Sequence, residues 1–360
     1  MACSDLLQQT ASGLYCPAGG FFIDPSRPVP RAVVTHAHSD HARWGCRHYL
    51  AAKAGESVFR LRLDRQDSPI ENRPEFDFVG YGESRSIGGV RVTLHPAGHM
   101  LGSAQVRLEQ RGRVVVVTGD YKLEEDPTCA AWEPIPCDGM VTESTFGLPI
   151  YRWPAQESVH ASINEWWRAS AQNGQCCVLY GYAVGKAQRL LACLDASIGP
   201  IYTHGAVENG VRAYRAAGVA LPVTERVSDQ ASKHAFRGAM VVAVPSAHGT
   251  PWMRRFGSVT TAMASGWMAI RGARRRRAVD RGFVLSDHVD WPGLLSAIEQ
   301  NDPEEVWVTH GSSAVVARYL EETTSRRALA IDRPRSESDE DPAESNASHP
   351  TADDLDGPNQ

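Results

Sequence analysis

Four side chains of metal-binding type lie within six residues, directly after a run of apolar residues. The segment "VVTHAHSDHARWG" contains His36, His38, Asp40 and His41. Imidazole nitrogens and carboxylate oxygens suit zinc, manganese or iron. A cluster of this size offers enough donors for two ions rather than one. The spacing therefore predicts a metal site just beyond this apolar run.

Four ligands on one short loop cannot complete two coordination shells, so further ligands are expected elsewhere in the chain. His99 lies in "HPAGHMLGSAQV", where glycines allow the backbone to come close to a site. Asp120 ends the apolar run "VVVVTGD", where a charge without a partner would be costly. A carboxylate there can give one oxygen to each of two ions about 3.5 to 4 Å apart. We therefore expect both residues to join the site, with Asp120 as the bridge.

The elements that must position these residues are strands alternating with helices. The segments "RAVVTH", "VRVTL", "AQVRLE", "RVVVVTGD" and "GMVTES" are typical of strands and are separated by Gly, Pro and Asp. Farther along, "AQESVHASINEWWRASAQ" and "VGKAQRLLACLDAS" have the apolar spacing of helices, with the strand-like "CCVLYGY" between them. This pattern predicts an α/β fold in which residues near 150 to 270 form an insertion and the chain after 280 returns to the first layer.

Length and composition fit a globular protein. The chain has 360 residues, enough for two lobes with a sizeable core, and no apolar stretch approaches the ~20 residues of a membrane helix. The start of the chain, "MACSDLLQQT", lacks the basic and apolar regions of a signal peptide, and the eight cysteines show no CxxC spacing. We therefore expect reduced thiols, a cytoplasmic location and no contact with a membrane.

The net charge of -5 conceals two segments of opposite sign. Residues 254–281 contain eight arginines against one acid, a local charge of +7, and residues 321–360 contain eleven acids against four arginines, a local charge of -7. The acidic end, 331–360, is predicted to be disordered because it cannot bury enough apolar surface. The run "RGARRRR" is either a solvated face or a nucleic-acid contact, and its arginines are Arg271, Arg274, Arg275, Arg276 and Arg277.

The order of these motifs resembles the metallo-β-lactamase superfamily, which has HxHxDH first, then a GH as in "AGHMLGS", then an Asp as in "TGDY". In members that act on small molecules the last metal histidine follows the Asp closely, whereas 168 positions separate Asp120 from His288 here. That insertion is similar to a β-CASP cap. The resemblance implies an αββα sandwich formed by 1–150 and 276–330, an inserted cap formed by 151–275, and the acidic tail 331–360.

Further motifs extend the resemblance to β-CASP nucleases. Glu143 in "TESTFG", His288 in "SDHVD" and His310 in "VTHG" match their motifs A, B and C, and Asp24 in "FFIDP" matches an Asp that supports the metal histidines. The segments "GLYCPAGGFFIDPSRPVPRAVVTHAHSDHARWG", "TESTFGLPIYRWP" and "GYAVGKAQR" resemble the bacterial DNA ligase-associated exonucleases, over roughly residues 12 to 325. The resemblance implies a DNA exonuclease that acts in DNA repair beside a ligase and a helicase.

The resemblance also implies a mechanism. The ligands for two divalent ions, zinc first and manganese as the alternative, would be His36, His38 and His99 for one, Asp40, His41 and His310 for the other, and Asp120 between them. The ions, with Asp40 close to the reacting atoms, would activate a water for attack on phosphorus. His288, held by Glu143, would give a proton to the departing sugar oxygen.

Other functions remain open at this point. A histidine at motif C is typical of RNA-processing members, such as the polyadenylation endonuclease and RNase J, so an RNA-processing ribonuclease is the main alternative. A small-molecule hydrolase is disfavoured by the long insertion and the arginine-rich segment. A non-catalytic nucleic-acid-binding subunit is disfavoured because the ligand set is complete. The sequence therefore favours a dinuclear metal-dependent nuclease whose polymer is DNA or, as the alternative, RNA.

Overall fold

The computed structural model describes residues 3–64, 73–228, 232–270, 272 and 278–331. The arginines at 271 and 274–277 and the acidic tail from 332 lie outside the described residues. Within the described part, the chain divides into two compact units. The first contains the residues up to 152 together with 210–220 and 287–331, and the second contains 153–209 and 221–286. Each unit has its own sheets and its own apolar core.

The described part of the chain is rich in strands up to Glu143, and α-helices occur more often among the strands after that point. The strands are β1 (Gln8–Thr10), β2 (Gly13–Cys16), β3 (Phe21–Ile23), β4 (Arg31–Val33), β5 (His48–Ala52), β6 (Glu75–Val79), β7 (Ser84–Ile87), β8 (Val90–Pro96), β9 (Ala104–Gln110), β10 (Arg113–Val117), β11 (Gly139–Glu143), β12 (Cys176–Tyr180), β13 (Ile201–Thr203), β14 (Glu225–Arg226), β15 (Met240–Ala243), β16 (Val259–Ala264), β17 (Arg281–Phe283), β18 (Glu305–Thr309) and β19 (Arg327–Ala330). The helices are α1 (Cys3–Leu6), α2 (Glu56–Leu63), α3 (Gln156–Gln172), α4 (Lys186–Ala192), α5 (Gly205–Ala216), α6 (Trp291–Asn301) and α7 (Ser313–Thr323).

The first unit contains two mixed sheets. One has six strands in the order β1-β2-β3-β4-β5-β6, and the other has seven in the order β19-β18-β11-β10-β9-β8-β7. Apolar side chains alternate along β8, where Val90, Val92 and Leu94 are buried and Arg91 between them is exposed. This face packs in one core with apolar residues of the six-stranded sheet, such as Phe21. The period of two thus gives each strand one apolar face, and the two sheets bury these faces together.

The other face of the seven-stranded sheet is covered by the last two helices. Leu294 and Ile298 of α6 and Leu320 of α7 share a core with Met140 and Val306 of the strands. Apolar residues three or four apart on these helices form the stripe that packs on the sheet. The first unit is therefore an α/β structure with two sheets packed together and helices outside the second.

Strand direction determines where the predicted site residues meet. The neighbouring strands β10, β11 and β18 are parallel, so their carboxyl ends lie at the same edge of the seven-stranded sheet. The chain leads from those ends to Asp120, Glu143 and His310. Strand β4 of the other sheet leads into the histidine-rich segment, and the turn between β8 and β9 contains His99.

The second unit is built on one parallel sheet. Its six strands lie in the order β14-β13-β15-β12-β16-β17, and every neighbouring pair is parallel. Strand β12 is buried along its whole length, as expected of a strand with both faces covered. The helix predicted for "VGKAQRLLACLDAS" is shorter than expected, because α4 ends at Ala192. The Cys193 N–H donates to the Leu190 carbonyl, which closes the last turn. None of the described helices has the length and apolar character needed to cross a bilayer.

Candidate metal centre

An Asp–Thr pair directs the histidine-rich segment away from the six-stranded sheet. The Thr35 N–H donates to Asp24 Oδ1 at 2.8 Å, and the Thr35 hydroxyl donates to Asp24 Oδ2 at 2.6 Å. Asp24 follows β3 with a left-handed backbone, at φ 44°. Because the Thr35 amide bonds to this carboxylate, β4 ends at Val33, earlier than the predicted strand "RAVVTH".

The partners of three histidines determine which ring nitrogen carries the lone pair. His41 Nδ1 lies 2.7 Å from Asp24 Oδ2 and His99 Nδ1 lies 2.9 Å from the Asp287 carbonyl oxygen, so both nitrogens must donate. His36 Nδ1 lies 3.1 Å from Thr35 Oγ1, whose own proton goes to Asp24. A neutral imidazole with its proton on Nδ1 has its lone pair on Nε2. In all three histidines, Nε2 is therefore the nitrogen whose lone pair can bind a metal ion.

The first group of ligand atoms has the spacing of a coordination shell. His38 Nδ1 lies 3.1 Å from Nε2 of both His36 and His99, and Asp120 Oδ2 lies 3.5 Å from His36 Nε2. All four ligand atoms lie within 4.8 Å of one another. Four ligands around a tetrahedral zinc, each about 2.0 to 2.1 Å from it, would be about 3.3 Å apart. The residues present thus fit a metal ion.

The second group adjoins the first through Asp120. Asp40, His41 and His310 form this group. His41 Nε2 lies 3.2 Å from Asp40 Oδ2 and 3.4 Å from Asp120 Oδ2, and the rings of His41 and His310 stack with centroids 5.5 Å apart. His310 has a left-handed backbone just after β18, and its carbonyl accepts a hydrogen bond from Ser144 Oγ. Asp120 Oδ2 therefore lies 3.5 Å from His36 Nε2 of the first group and 3.4 Å from His41 Nε2 of the second. A bridge with one carboxylate oxygen on each ion stays a prediction.

Burial keeps these groups in the protonation states that metal ligands require. His36 and His99 are fully buried. Burial and the neighbouring His41 hold the pKa of His36 well below its ordinary value, and burial together with His288 and His38 lowers the pKa of His99 to about 3. Burial would raise the pKa of Asp120, but His41 and His288 outweigh it and hold this pKa well below its usual range. At neutral pH, His36 and His99 are therefore neutral imidazoles and Asp120 is a carboxylate, the states in which these groups bind a divalent cation.

The buried Glu143 and the partly exposed His288 form a pair beside these groups. His288 Nδ1 lies 3.0 Å from both carboxylate oxygens of Glu143, and Glu143 also accepts the Tyr121 N–H at 3.0 Å. His288 Nδ1 lies 4.0 Å from Asp120 Oδ2. Burial would lower the pKa of His288, but Glu143 and Asp120 raise it to about 10. The pair thus places a protonated imidazole next to the metal-ligand groups.

The structure brings together every described residue that the sequence predicts for the site. It also adds Thr35 and Asp287, which the sequence interpretation missed. Thr35 lies directly before the first histidine, so its position was a usable signal. Asp287 acts through its backbone carbonyl, which no residue pattern reveals.

Similarity to known proteins extends to both the sequence and the fold. No protein-family model matches the chain. The chain is 33% identical over 314 residues to a protein of Opitutus terrae named "Probable DNA ligase", covering 86% of this chain and 30% of that protein. It is 29% identical over 185 residues to Cleavage and polyadenylation specificity factor 73 of Drosophila melanogaster, covering 50% of this chain and 26% of that one. It is 26% identical over 211 residues to an RNase J-like protein of Methanocaldococcus jannaschii, covering 52% and 50%.

A solved structure is similar in fold. The structure of a protein of unknown function from Enterococcus faecalis matches with a TM-score of 0.58 at 10% identity, covering 85% of this chain and 80% of that one. An identity this low concerns the fold alone. The chain spans at most half the length of each of the three sequence relatives above.

The fold and the site define a class, namely two-sheet α/β proteins with a histidine and aspartate metal centre where the strands end. These relatives fit the β-CASP family of metallo-β-lactamase-fold nucleases, which the motifs of this chain resemble. The resemblance inferred from the motifs is confirmed at this level.

Proposed function

We propose that the protein is a metal-dependent nuclease, and specifically an exonuclease, that hydrolyses phosphodiester bonds of DNA. The position of Asp120 Oδ2 carries this proposal. It lies within 4.0 Å of His36 and His99 of the first ligand group, of His41 of the second group, and of His288. One carboxylate thus joins two ligand groups and an acid, the combination that phosphodiester hydrolysis needs. The second unit is, in this proposal, the inserted cap.

Two divalent ions, zinc first and manganese as the alternative, would be held by the two ligand groups. The first group is His36, His38, His99 and Asp120, and the second is Asp40, His41 and His310 with Asp120 shared. Bound ions would supply Lewis-acid stabilisation of the phosphoryl oxygens and a more acidic attacking water. Asp24 and Thr35 orient the histidines of both groups through their Nδ1 atoms.

The chain itself supplies the proton for the leaving group. His288 uses Nδ1 to bind Glu143, so its Nε2–H is the atom that can donate to the departing sugar oxygen. Glu143 stabilises the charged imidazole and fixes its plane. Proton transfer by a positioned side chain contributes about 10² to 10⁴ in rate.

The proposal of DNA as the polymer is supported by one relative, the one with a DNA-related name. The relative named as a DNA ligase aligns with 86% of the chain, whereas the relatives with RNA-processing names align with about half of it. That relative carries the name of a DNA ligase and is more than three times as long as the aligned region. We therefore propose that this chain acts beside a ligase in DNA repair. A location in the cytoplasm is part of the same proposal. A helicase partner follows from the motif resemblance. We also propose that Arg271 and Arg274–Arg277 contact phosphates of the nucleic-acid backbone.

Degradation of end-labelled substrates tests this function. Single-stranded DNA, duplex DNA and RNA of one sequence would be incubated with the protein and either zinc or manganese. We expect DNA to be shortened progressively from an end, and Asp120→Asn to abolish the reaction. Faster cleavage of RNA would establish the ribonuclease alternative, and failure to cleave any of the three would contradict the proposal.

A further inference from the structure

A cluster of cationic and aromatic side chains lies at one edge of the parallel sheet in the second unit. Strand β13 ends at Thr203, directly before His204, and its parallel neighbour β14 ends at Arg226. Arg255 lies in the segment that follows β15, which pairs with β13 on the other side. In open parallel sheets, ligands bind beyond the carboxyl ends of the strands. This cluster, called here the His204 cluster, comprises His204, Arg226, Trp252 and Arg255.

Trp252 holds two members of the His204 cluster in place. Its ring lies edge-to-face with the His204 ring at 5.0 Å, and the Arg255 guanidinium carbon lies 5.6 Å from its centroid. Arg255 Nε also donates to the Trp252 carbonyl at 2.9 Å. Trp252 itself packs on the buried ring of Phe256 at 4.7 Å. The guanidinium is therefore anchored before any ligand arrives, which reduces the entropic cost of binding.

Arg226 lies beside the N-terminus of helix α5, where a positive charge without a counter-charge is unfavourable. A Cβ atom added at Gly205, the first residue of α5, would lie 3.3 Å from Arg226 Nη2. The first turn of a helix carries a partial positive charge from its N–H groups. An exposed guanidinium here thus adds charge to an already positive end, an arrangement that favours an anion.

Within the His204 cluster, Arg226 is the cation without a carboxylate partner among the described residues. Glu208, in the first turn of α5, accepts a hydrogen bond from the Thr203 hydroxyl at 2.6 Å. Glu225 is exposed, and burial together with the charge of Glu225 raises the pKa of Tyr202. Burial, and then the charges of Arg226 and Arg255, lower the pKa of His204. His204 Nδ1 accepts the Ala206 N–H at 3.1 Å, which leaves Nε2–H as a donor.

We propose that the His204 cluster binds backbone phosphates of a single nucleic-acid strand, through His204, Arg226 and Arg255. This inference rests on the proposed function and adds a second set of phosphate contacts, separate from the arginine run at 271–277. Guanidinium groups bind phosphate through two N–H groups at once, and the neutral His204 adds a second kind of donor, an imidazole N–H.

The salt dependence of binding tests the proposal. The probe is a fluorescent single-stranded oligonucleotide with phosphorothioate linkages, which keeps the backbone charge and resists hydrolysis. Removal of one arginine that binds a phosphate should lower the slope of log K against log salt by about 0.7. We expect that decrease for Arg226→Gln and roughly twice that for Arg226→Gln combined with Arg255→Gln, while Arg226→Lys keeps the slope.

The matched control is Arg168→Gln, which removes the same charge. Arg168 Nη2 lies 3.0 Å from Asp195, so this arginine already has a carboxylate partner. Arg226→Gln carries the test if the double variant fails to fold, because Arg226 is exposed. A slope for Arg226→Gln equal to that of Arg168→Gln would overturn the inference, with wild-type hydrolysis still supporting the proposed function. Tight binding of the probe with no hydrolysis of unmodified DNA or RNA of the same sequence would overturn the proposed function and leave the cluster in place, and no binding at all would overturn both.

Discussion

Asp24 offers a direct test of how the metal centre is positioned, because its carboxylate touches no predicted reacting atom. Asp24→Asn is nearly isosteric, and its carbonyl can still accept the Thr35 N–H that bonds to Oδ1 at 2.8 Å. The amide nitrogen would then replace Oδ2. That nitrogen donates, and it would face two donors, the Thr35 hydroxyl at 2.6 Å and His41 Nδ1 at 2.7 Å.

The expected effect is a change in the His41 tautomer. To accept the amide N–H, His41 must move its proton to Nε2, the atom that lies 3.2 Å from Asp40 and 3.4 Å from Asp120. A protonated Nε2 cannot bind a metal. Changing a group that orients a metal ligand costs about 10- to 100-fold in affinity. Because two hydrogen bonds are reversed here, we expect the upper end, about 100-fold or about 2.7 kcal/mol, for the ion in the second ligand group.

Calorimetric titration of the metal-free protein with zinc measures this effect. The matched control is Asp138→Asn, because Asp138 also accepts a backbone N–H, from Val114 at 2.7 Å, and a side-chain donor, Arg113, at 2.8 Å. Asp138 precedes β11, at the opposite end of that strand from Glu143. We expect the control to bind two ions as the wild type does. Unchanged affinity for the second ion in Asp24→Asn would refute the assignment of His41 Nε2 as a ligand.

The remaining predictions concern the acid, the core and the arginine run. His288→Ala should keep both ions while lowering turnover about 10²- to 10⁴-fold, and loss of metal measured by mass spectrometry would instead make His288 a ligand. Leu94→Ala, fully buried between the sheets, should lower the free energy of unfolding by about 2 to 5 kcal/mol in urea, whereas Leu329→Ala, at 53% exposure, should change it by less than about 0.5 kcal/mol. Alanine at 274–277 should lower the slope of log K against log salt for single-strand binding by about 0.7 for each arginine that binds a phosphate. Hydrolysis of a nitrophenyl phosphodiester should stay unchanged. An unchanged slope would instead make the arginine run a solvated face.

Sequence patterns predicted the elements whose side chains alternate clearly. Strands β8 to β11 and helix α3 occur where apolar periodicity placed them. Short strands such as β13, with three residues, and β14, with two, have no resolvable period and were not predicted. They form because neighbouring strands of the parallel sheet supply their hydrogen bonds, which is information outside the local sequence.

The metal centre was predictable because several ligands lie close together in the sequence, at strand ends. The hydrogen bonds that orient those ligands could not be predicted. Thr35 shares its hydroxyl between Asp24 and His36, and this depends on how β3 and β4 lie side by side. The His204 cluster was missed for a similar reason, since His204, Arg226 and Trp252 belong to three separate segments that the sheet brings together.

The most direct test of the central claim combines metal content with hydrolysis in one titration. Zinc or manganese would be added stepwise to the metal-free protein while the degradation of labelled single-stranded DNA is followed, with Asp120→Asn in parallel. The account predicts that hydrolysis rises with the second ion per chain and that Asp120→Asn holds fewer than two ions and cleaves nothing, because a neutral amide holds the shared position poorly. Full hydrolysis by the metal-free protein, or by Asp120→Asn with two ions bound, would contradict it.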